Sequence, residues 1–180
     1  MTIELIKSPT EEDIIFCRQC TLNTVGKETT KLPTSEWLRK LIESEHSPIR
    51  ELTFAFKLTI PYYVSVHLVR HHVGVNHYVQ SQRNDRQDNY DRNKAPQDSM
   101  VSHIISMNLQ AFVTMAHARL CTQADTTTRM IMEEMCRQAI EYMPELDGVL
   151  VPKCAYRGGK CTEFKCCGLN KKYIDNVNDK

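Results

Sequence analysis

The sequence of 180 residues has few of the residues that mark non-globular chains, with 6 glycines, 7 prolines and one tryptophan. This scarcity excludes a collagen-like or low-complexity chain. No stretch approaches the roughly 20 consecutive apolar residues that a membrane-spanning helix needs. Opposite charges nearly balance, with 23 lysines and arginines against 22 aspartates and glutamates. Because the net charge is only +1, no overall field draws the chain to nucleic acid or to a membrane, and we expect neither as a partner.

The composition that remains, 41% hydrophobic and 25% charged residues, is that of a folded globular protein. A chain of this length favours one domain. The acidic, polar start MTIELIKSPTEED differs from a secretory signal, so we expect a cytoplasmic protein. In that compartment, the eight cysteines indicate reduced thiols or a metal site rather than a disulfide framework.

Apolar periodicity predicts several elements. Residues 11–20 and the segment SEWLRKLIES are predicted helices. Strict alternation in ELTFAFKLTIP predicts a strand, whereas YYVSVHLVRHH fits a strand or a buried helix. From Ser99 onward the pattern is helical. A further helix is predicted from Thr126 to Tyr142, with these residues inward: Met130, Ile131, Met135, Ala139 and Ile140.

The segment from Gln80 to Lys94 contains one aromatic side chain and no aliphatic one among many charges. It cannot bury a core of its own, so it is predicted to be a loop that lies on the rest of the domain. Several arginines fall in or just before this loop. Converging arginines suit an anion, because the planar guanidinium fork matches a phosphate. The alternative is a solvated loop whose arginines are neutralised by Asp85, Asp88 and Asp91.

The order of these residues resembles the flavin-dependent thymidylate synthases. That family has Arg-His-Arg, then Asn, then Ser-x-Arg, and here Arg70-His71-His72 precede Asn76 and Ser81-Gln82-Arg83. The chain departs from the family pattern on the flavin side, at His72, Gln110 and Thr114. Other landmarks stand in family order over roughly residues 46–135: His46-Ser47-Pro48, Glu51, Phe54, Phe56, Arg92, Pro96, Asn108, Arg119 and Arg129.

The resemblance implies a fold, an assembly and a reaction. The fold is a single α/β (α+β) domain, a small sheet flanked by helices, over residues 1–150, with a cysteine-rich extension at 151–180, and YYVSVHLVRHH is then a helix. The assembly is a homotetramer with active sites between subunits. The reaction is reductive methylation of dUMP to dTMP, with carbon from methylenetetrahydrofolate and hydride from FAD that NADPH reduces. In such chemistry the protein mainly positions the reactants, because the flavin supplies the hydride.

The resemblance also implies roles for individual side chains. Arg119 is the predicted catalytic residue, a donor that stabilises negative charge on the uracil. The residues predicted to bind dUMP are His67, Arg70, Gln80, Ser81, Arg83 and Arg92. The residues predicted to contact FAD are His46, Arg70, His71, His72, Asn76 and Asn108.

The C-terminal segment KCAYRGGKCTEFKCCG concentrates cysteines. Four soft ligands so close together could hold a structural zinc ion. The spacing is not the paired Cys-x2-Cys of zinc ribbons, so reduced thiols or a disulfide are the alternative. The candidate ligands are Cys154, Cys161, Cys166 and Cys167.

Two other functions fit the same sequence. A divergent relative would transfer a one-carbon unit to a pyrimidine nucleotide without the full reduction. A protein of another class would be a non-catalytic module, stabilised by zinc, whose arginine loop binds a phosphate. A flavin spectrum and the mass of the product separate the three hypotheses.

Overall fold

A four-stranded antiparallel sheet organises the computed structural model, which describes residues 1–86 and 90–174. The strand order is β1-β2-β4-β3. Strands β2 and β4 pair along their whole length, from Thr53 opposite Asn108 to Pro61 opposite Met100. The strands are β1 (Thr2–Lys7), β2 (Thr53–Pro61), β3 (Val75–Val79) and β4 (Met100–Asn108).

Helices flank the sheet and connect several of its strands. Four of them begin at a side chain that accepts a backbone N–H of the first turn, namely Thr10, Thr34, Asn108 and Asp125. None of the described helices combines the length and the apolar character that crossing a membrane requires. The helices are α1 (Glu11–Asn23), α2 (Ser35–Glu43), α3 (Tyr62–Leu68), α4 (Leu109–Arg119), α5 (Thr126–Tyr142), α6 (Lys153–Tyr156) and α7 (Lys171–Ile174).

The hydrophobic core packs against one face of the sheet. Every second residue of β2 from Phe54 to Ile60 is fully buried, and Lys57 on the other face is exposed. Helix α4 covers the buried face with Phe112, whose ring centroid lies 5.8 Å from that of Phe54 and 5.6 Å from that of Phe56. The sheet therefore has one packed face and one open face, as antiparallel sheets commonly do.

Most of the predicted elements are confirmed. The two early helices form α1 and α2, the alternating segment forms β2, and YYVSVHLVRHH contains α3. The helix predicted from Thr126 to Tyr142 is α5, with the same bounds. The polar segment from Gln80 to Lys94 has neither helix nor strand in its described residues. Asp88, one of the predicted neutralising carboxylates, lies outside the described residues.

The prediction of helix from Ser99 onward was wrong for its first nine or so residues, which form β4, and α4 begins only at Leu109. Burial alternates along β4, with Val101, His103, Ile105 and Met107 inward. The error arose because Val101, Ile105 and Leu109 lie four residues apart and so fit a helical period as well. The prediction that Met130 faces inward was also wrong, since its side chain is 53% exposed.

The chain beyond residue 150 packs on the domain. Cys154 in α6 is buried, and the hydroxyl of Tyr156 donates to the carbonyl oxygen of Glu43 at 2.6 Å. The C-terminal segment is therefore attached to the helices next to the sheet, although the boundary at residue 150 remains a prediction.

Candidate functional site

A cavity of about 300 Å³ lies between α3 and the loop that follows β3. Helix α3 and the residue after it form one wall, because residues spaced three and four apart fall on one side of a helix. Those residues are Tyr62, Ser65, Val66 and Val69. Three of the six residues predicted to bind dUMP line the same cavity: Gln80, Arg83 and Arg92. The fold thus brings together side chains that lie on separate parts of the polar loop.

Backbone pairing fixes the first part of this loop. The N–H of Gln80 donates to the carbonyl oxygen of Ser102 at 2.8 Å, and the N–H of Ser102 donates to the Oε1 of Gln80 at 3.0 Å. The two bonds extend the pairing of β3 with β4 by one residue. The hydroxyl of Ser81 accepts the N–H of Arg83 at 3.2 Å, which holds the loop in a turn.

The two arginines of the cavity have different hydrogen-bond partners. The guanidinium of Arg83 donates to both carboxylate oxygens of Asp85, at 2.9 and 2.6 Å. Since the two side chains are 61% and 58% exposed, this ion pair contributes little stability, and a phosphate can take the place of the carboxylate. Arg92 is held through its backbone, whose N–H donates to the Oδ1 of Asn84 at 3.0 Å.

Two larger clefts, of about 590 and 610 Å³, lie away from these residues. The first is lined by α1 and the turn after it, with Lys27 as the basic side chain of its described lining. The second includes Arg129 and Arg137, which already form ion pairs with glutamates of the same helix. Because neither cleft gathers the predicted site residues, the smaller cavity is the better candidate.

A polar cavity of about 260 Å³ lies at the other end of β3. Its lining includes three predicted flavin contacts, His72, Asn76 and Asn108. Asn108 also has a local structural role, because its Oδ1 accepts the N–H of Ala111 at the start of α4, at 2.9 Å. Gly74 has a φ of +73° and lies close to the side chain of Asn108. A Cβ at Gly74 would be 2.6 Å from the Nδ2 of Asn108.

The flavin side of one chain is incomplete. The side-chain amide of Gln110 donates to the Oε2 of Glu45 at 2.5 Å, and the hydroxyl of Thr114 donates to the carbonyl oxygen of Gln110 at 2.9 Å. His46 is exposed and lines neither of the two cavities beside β3. The cavity of about 260 Å³ is also smaller than typical cofactor pockets. The residues of a single chain therefore do not fit an entire FAD.

Arg119, the predicted catalytic residue, lies at the end of α4 beside the end of α3. Its Nε–H donates to the Nε2 of His71 at 2.9 Å, and a terminal N–H donates to the carbonyl oxygen of His67 at 3.0 Å. Burial and the charge of Arg119 lower the pKa of His71 to about 4, so this ring is neutral and can accept. Two of the five N–H donors of the guanidinium are thus used, and the others have no partner among the described residues.

Positive charge is concentrated beside His71. Burial lowers the pKa of Arg119, and the nearby charge of Arg70 lowers it further. Arg119 nevertheless stays protonated, because an arginine side chain does not lose its proton in proteins. Two guanidinium groups next to a neutral imidazole attract an anion or stabilise a negative charge that develops on a ligand.

His67 is oriented by a second set of hydrogen bonds. Asp125 accepts both the N–H and the hydroxyl of Thr128 on one carboxylate oxygen, at 2.9 and 3.0 Å. Since that hydroxyl has one hydrogen, it accepts from the Nδ1 of His67 at 2.9 Å. The Nε2 of a neutral His67 is then the nitrogen that can accept from a ligand. Sequence reasoning missed Asp125 and Thr128, although an aspartate just before a helix is a capping signal.

A chain of histidines links the cavity wall to His71. The Nε2 of His77 donates to the carbonyl oxygen of His71 at 2.7 Å, because a carbonyl only accepts. When His77 is neutral, its Nδ1 accepts from the Nε2 of His103 at 3.0 Å. The Nδ1 of His103 in turn accepts the hydroxyl of Ser65 at 3.2 Å. Ser65 therefore presents only lone pairs to the cavity that it lines.

Sequence reasoning also missed Ser65 and His103. Both side chains are buried, and burial and the charge of His77 lower the pKa of His103 to about 4. The alternation along β4 places His103 on the apolar face, a signal that was lost when this segment was interpreted as a helix.

Within one chain, the residues predicted to bind dUMP lie in two groups. Gln80, Arg83 and Arg92 lie at the cavity, next to the α3 face that includes Ser65. The side chain of His67, two residues from Ser65, leaves another side of α3 and bonds Thr128, while its carbonyl oxygen accepts from Arg119. Neither His67 nor Arg119 lines the cavity that the other three residues share.

The four cysteines predicted to bind zinc do not form a metal site in the described structure. Cys154 is buried, whereas Cys166 and Cys167 are exposed. Within residues 1–86 and 90–174, no three His, Cys, Asp or Glu side chains are placed so that they could hold a metal ion. All eight cysteines are without a disulfide in the described structure. The described residues therefore do not support the predicted zinc site, and the redox state of these cysteines stays a prediction.

Comparisons with known proteins give a likeness of fold. No protein-family model and no curated protein matches this chain. A solved structure that is similar is that of the UMP/dUMP methylase PolB from Streptomyces cacaoi bound with 5-Br dUMP. The TM-score is 0.65 and the sequence identity 14%, and the match covers 83% of this chain and 96% of that chain. The α+β fold described above is thus similar to the fold of that methylase.

The buried histidine chain predicts a pH-dependent stability. Because the pKa of His103 falls from 6.5 to about 4 on folding, the unfolded chain alone binds this proton between those pH values. The contribution of the neutral His103 ring to the free energy of unfolding is complete above pH 6.5. It is lost as the pH falls to about 4, and the loss is on the order of 2–3 kcal/mol. Urea unfolding of the wild type and of His103→Gln at about pH 7 and about pH 4.5 measures this loss. An equal loss in both proteins would contradict the prediction, since all other groups titrate in both.

Proposed function

We propose that this protein transfers a one-carbon unit to the uracil ring of dUMP. In its full form the proposal is the reductive methylation of dUMP to dTMP that the flavin-dependent thymidylate synthases perform. One observation supports it above the others: Gln80, Arg83 and Arg92, predicted from the sequence to bind dUMP, line one cavity in a fold that a UMP/dUMP methylase shares. The order of these residues in the chain and the fold favour the same substrate class.

In this proposal the cavity binds the phosphate of dUMP. Arg83 and Arg92 provide planar forks of donors that match phosphate oxygens, Gln80 adds a polar contact from the lining, and the neighbouring Ser81 is proposed to add another. Binding exchanges the exposed bond of Arg83 to Asp85 for a bond to a more highly charged group. The hydroxyl hydrogen of Ser65 is directed to His103, so Ser65 does not donate to the phosphate. The arginines are therefore the main donors.

Arg119 is the proposed catalytic residue. A one-carbon unit adds to the uracil ring when negative charge builds up on the ring nitrogen and carbonyl oxygens, and a fixed donor stabilises that charge. The two bonds to His71 and to the carbonyl of His67 hold the guanidinium before the substrate arrives. Arg70 adds a second positive charge, and His67 offers its Nε2 as an acceptor.

The proposed active site forms between chains. Arg119 lies at the end of α3 and does not line the cavity that includes Arg83 and Arg92, so we expect a second copy to place both groups around one nucleotide. Exposed apolar side chains near this region suit such contacts, with Val73 80% and Tyr78 64% exposed. We expect a homotetramer, as the resemblance implies. Light scattering of the purified protein tests this, and a monomer that turns over dUMP would contradict it.

For the reductive methylation, the resemblance to the flavin-dependent thymidylate synthases implies FAD as cofactor and methylenetetrahydrofolate and NADPH as co-substrates. A bound flavin supplies the hydride, and the chain offers His72 and Asn76 at a polar cavity on the open side of the sheet. Because one chain does not fit an entire FAD, the remaining contacts must come from other subunits. Flavin absorbance that survives desalting and shifts with dUMP supports this form, and a protein that ignores FAD contradicts it.

Removing a phosphate arginine tests the cavity. Arg92→Ala should weaken dUMP binding about ten- to a hundredfold, because a charged hydrogen bond contributes about 1.5–3 kcal/mol. Calorimetric titration with dUMP and with deoxyuridine measures the effect, and deoxyuridine binding should change little. Arg86→Ala is the matched control, since Arg86 lies on the same loop but not in the lining of the cavity. Equal losses in both variants would contradict the assignment.

A conservative change tests the catalytic role of Arg119. Arg119→Lys retains the charge but loses the fork, so turnover of dUMP should fall at least about a hundredfold while dUMP affinity changes much less. Mass spectrometry of the product, with and without FAD, identifies a methyl or a hydroxymethyl group and so separates the full reaction from the divergent one. Arg129→Lys is the control on the neighbouring helix. Undiminished turnover in Arg119→Lys would contradict the role.

A further inference from the structure

Two cysteines outside the proposed active site lie side by side. The Sγ of Cys121, at the end of the α4 segment, is 3.9 Å from the Sγ of Cys167 in the C-terminal segment. Cys167 is exposed and Cys121 is partly exposed, so small reagents reach both sulfurs. A further bond holds the same two segments together, from the side-chain amide of Gln123 to the carbonyl oxygen of Lys165.

This spacing suits pairwise sulfur chemistry. A disulfide needs the two sulfurs to approach from 3.9 Å to about 2.0 Å, a change that a small turn can accommodate. Cys167 is followed by Gly168, which has a φ of +85° and no atom within 4 Å of an added Cβ, so the turn has room to adjust. A metal ion would instead need three or more ligands, and no such set is present among the described residues.

The two thiols differ in reactivity. The hydroxyl of Thr122 and the N–H of Leu169 lower the pKa of Cys167, which favours its thiolate. Burial raises the pKa of Cys121. Because Cys167 is also the more exposed of the two residues, it is the sulfur that attacks first, and Cys121 reacts second.

We propose that Cys167 is a thiol-modification site for small-molecule disulfides of the glutathione type, and that Cys121 resolves the adduct. The thiolate of Cys167 attacks one sulfur of the disulfide, the S–S bond breaks, and one small thiolate leaves and takes a proton from water. Cys121 then gives its proton to solvent, and its sulfur attacks the Sγ of Cys167 and expels the second small thiolate. Two protein thiols are oxidised and one disulfide is reduced to two thiols, so atoms and electrons balance.

The resulting Cys121–Cys167 disulfide would link the C-terminal segment covalently to the connection between α4 and α5. Cys121 lies in that connection, two residues after Arg119, and the connection ends at Asp125, which orients His67 through Thr128. The crosslink therefore lies next to the residues that hold the proposed catalytic group. The chemistry itself does not depend on the proposed function, because it needs no nucleotide.

Mass spectrometry of the full-length protein tests the site. The reduced protein is treated with glutathione disulfide at neutral pH, quenched in acid, alkylated and mapped by peptide. The wild type should yield a peptide pair joined through Cys121 and Cys167. Cys121→Ser should stop at a glutathione adduct on Cys167, because the resolving thiol is absent. Cys167→Ser should lower the rate of modification at least about tenfold.

Cys166→Ser is the matched control, since Cys166 is the adjacent and equally exposed residue. This variant should form the Cys121–Cys167 crosslink at the wild-type rate. The proposal is overturned if the crosslink joins other cysteines, if Cys166 reacts as fast as Cys167, or if the purified protein holds stoichiometric zinc that shields the thiols. Each of these results is visible without any measurement of turnover.

Discussion

The position of β4 between β2 and β3 determines most of the arrangement described above. One face of β4 is buried, so its register with β2 is fixed, and a slip by one residue would turn every inward side chain to solvent. The same strand ends at Asn108, which caps α4 and thereby sets the direction of the helix that ends at Arg119. On its other edge β4 aligns β3, and so places the α3 cavity at one end of β3 and the polar cavity that includes Asn76 at the other.

The buried strand also explains the histidine chain. His103 occupies an inward position of β4, where a charged side chain would be costly, and its pKa is lowered accordingly. A neutral ring needs a partner at each nitrogen, and Ser65 on α3 and His77 on β3 supply them. Through His77 the chain reaches the backbone of His71, the residue whose ring accepts from Arg119. Packing in the core is thus coupled to the position of the Arg119 guanidinium.

Much of the fold could be predicted from local patterns, because α5 and β2 are long and strictly periodic. The strand β4 could not, since Val101, Ile105 and Leu109 fit both periods, and only pairing with β2 decides between them. Short strands such as β1 and β3 give little local signal. Of the candidate site, the order of Gln80, Arg83 and Arg92 in the chain indicated a shared site, and the structure brings them to one cavity. Ser65 and Thr128 act through hydrogen bonds to distant segments, which no local pattern reveals, whereas the helix cap at Asp125 is a local signal.

The central claim is that a uracil nucleotide binds with its phosphate at the α3 cavity. A crystal structure of this protein grown with 5-bromo-dUMP tests it most directly, because anomalous scattering locates the bromine and the electron density locates the phosphate. The account predicts the phosphate between Arg83 and Arg92, and the uracil toward Arg119 of another copy of the chain. A nucleotide bound in the cleft that includes Arg129 and Tyr173, with the α3 cavity empty, would contradict the account.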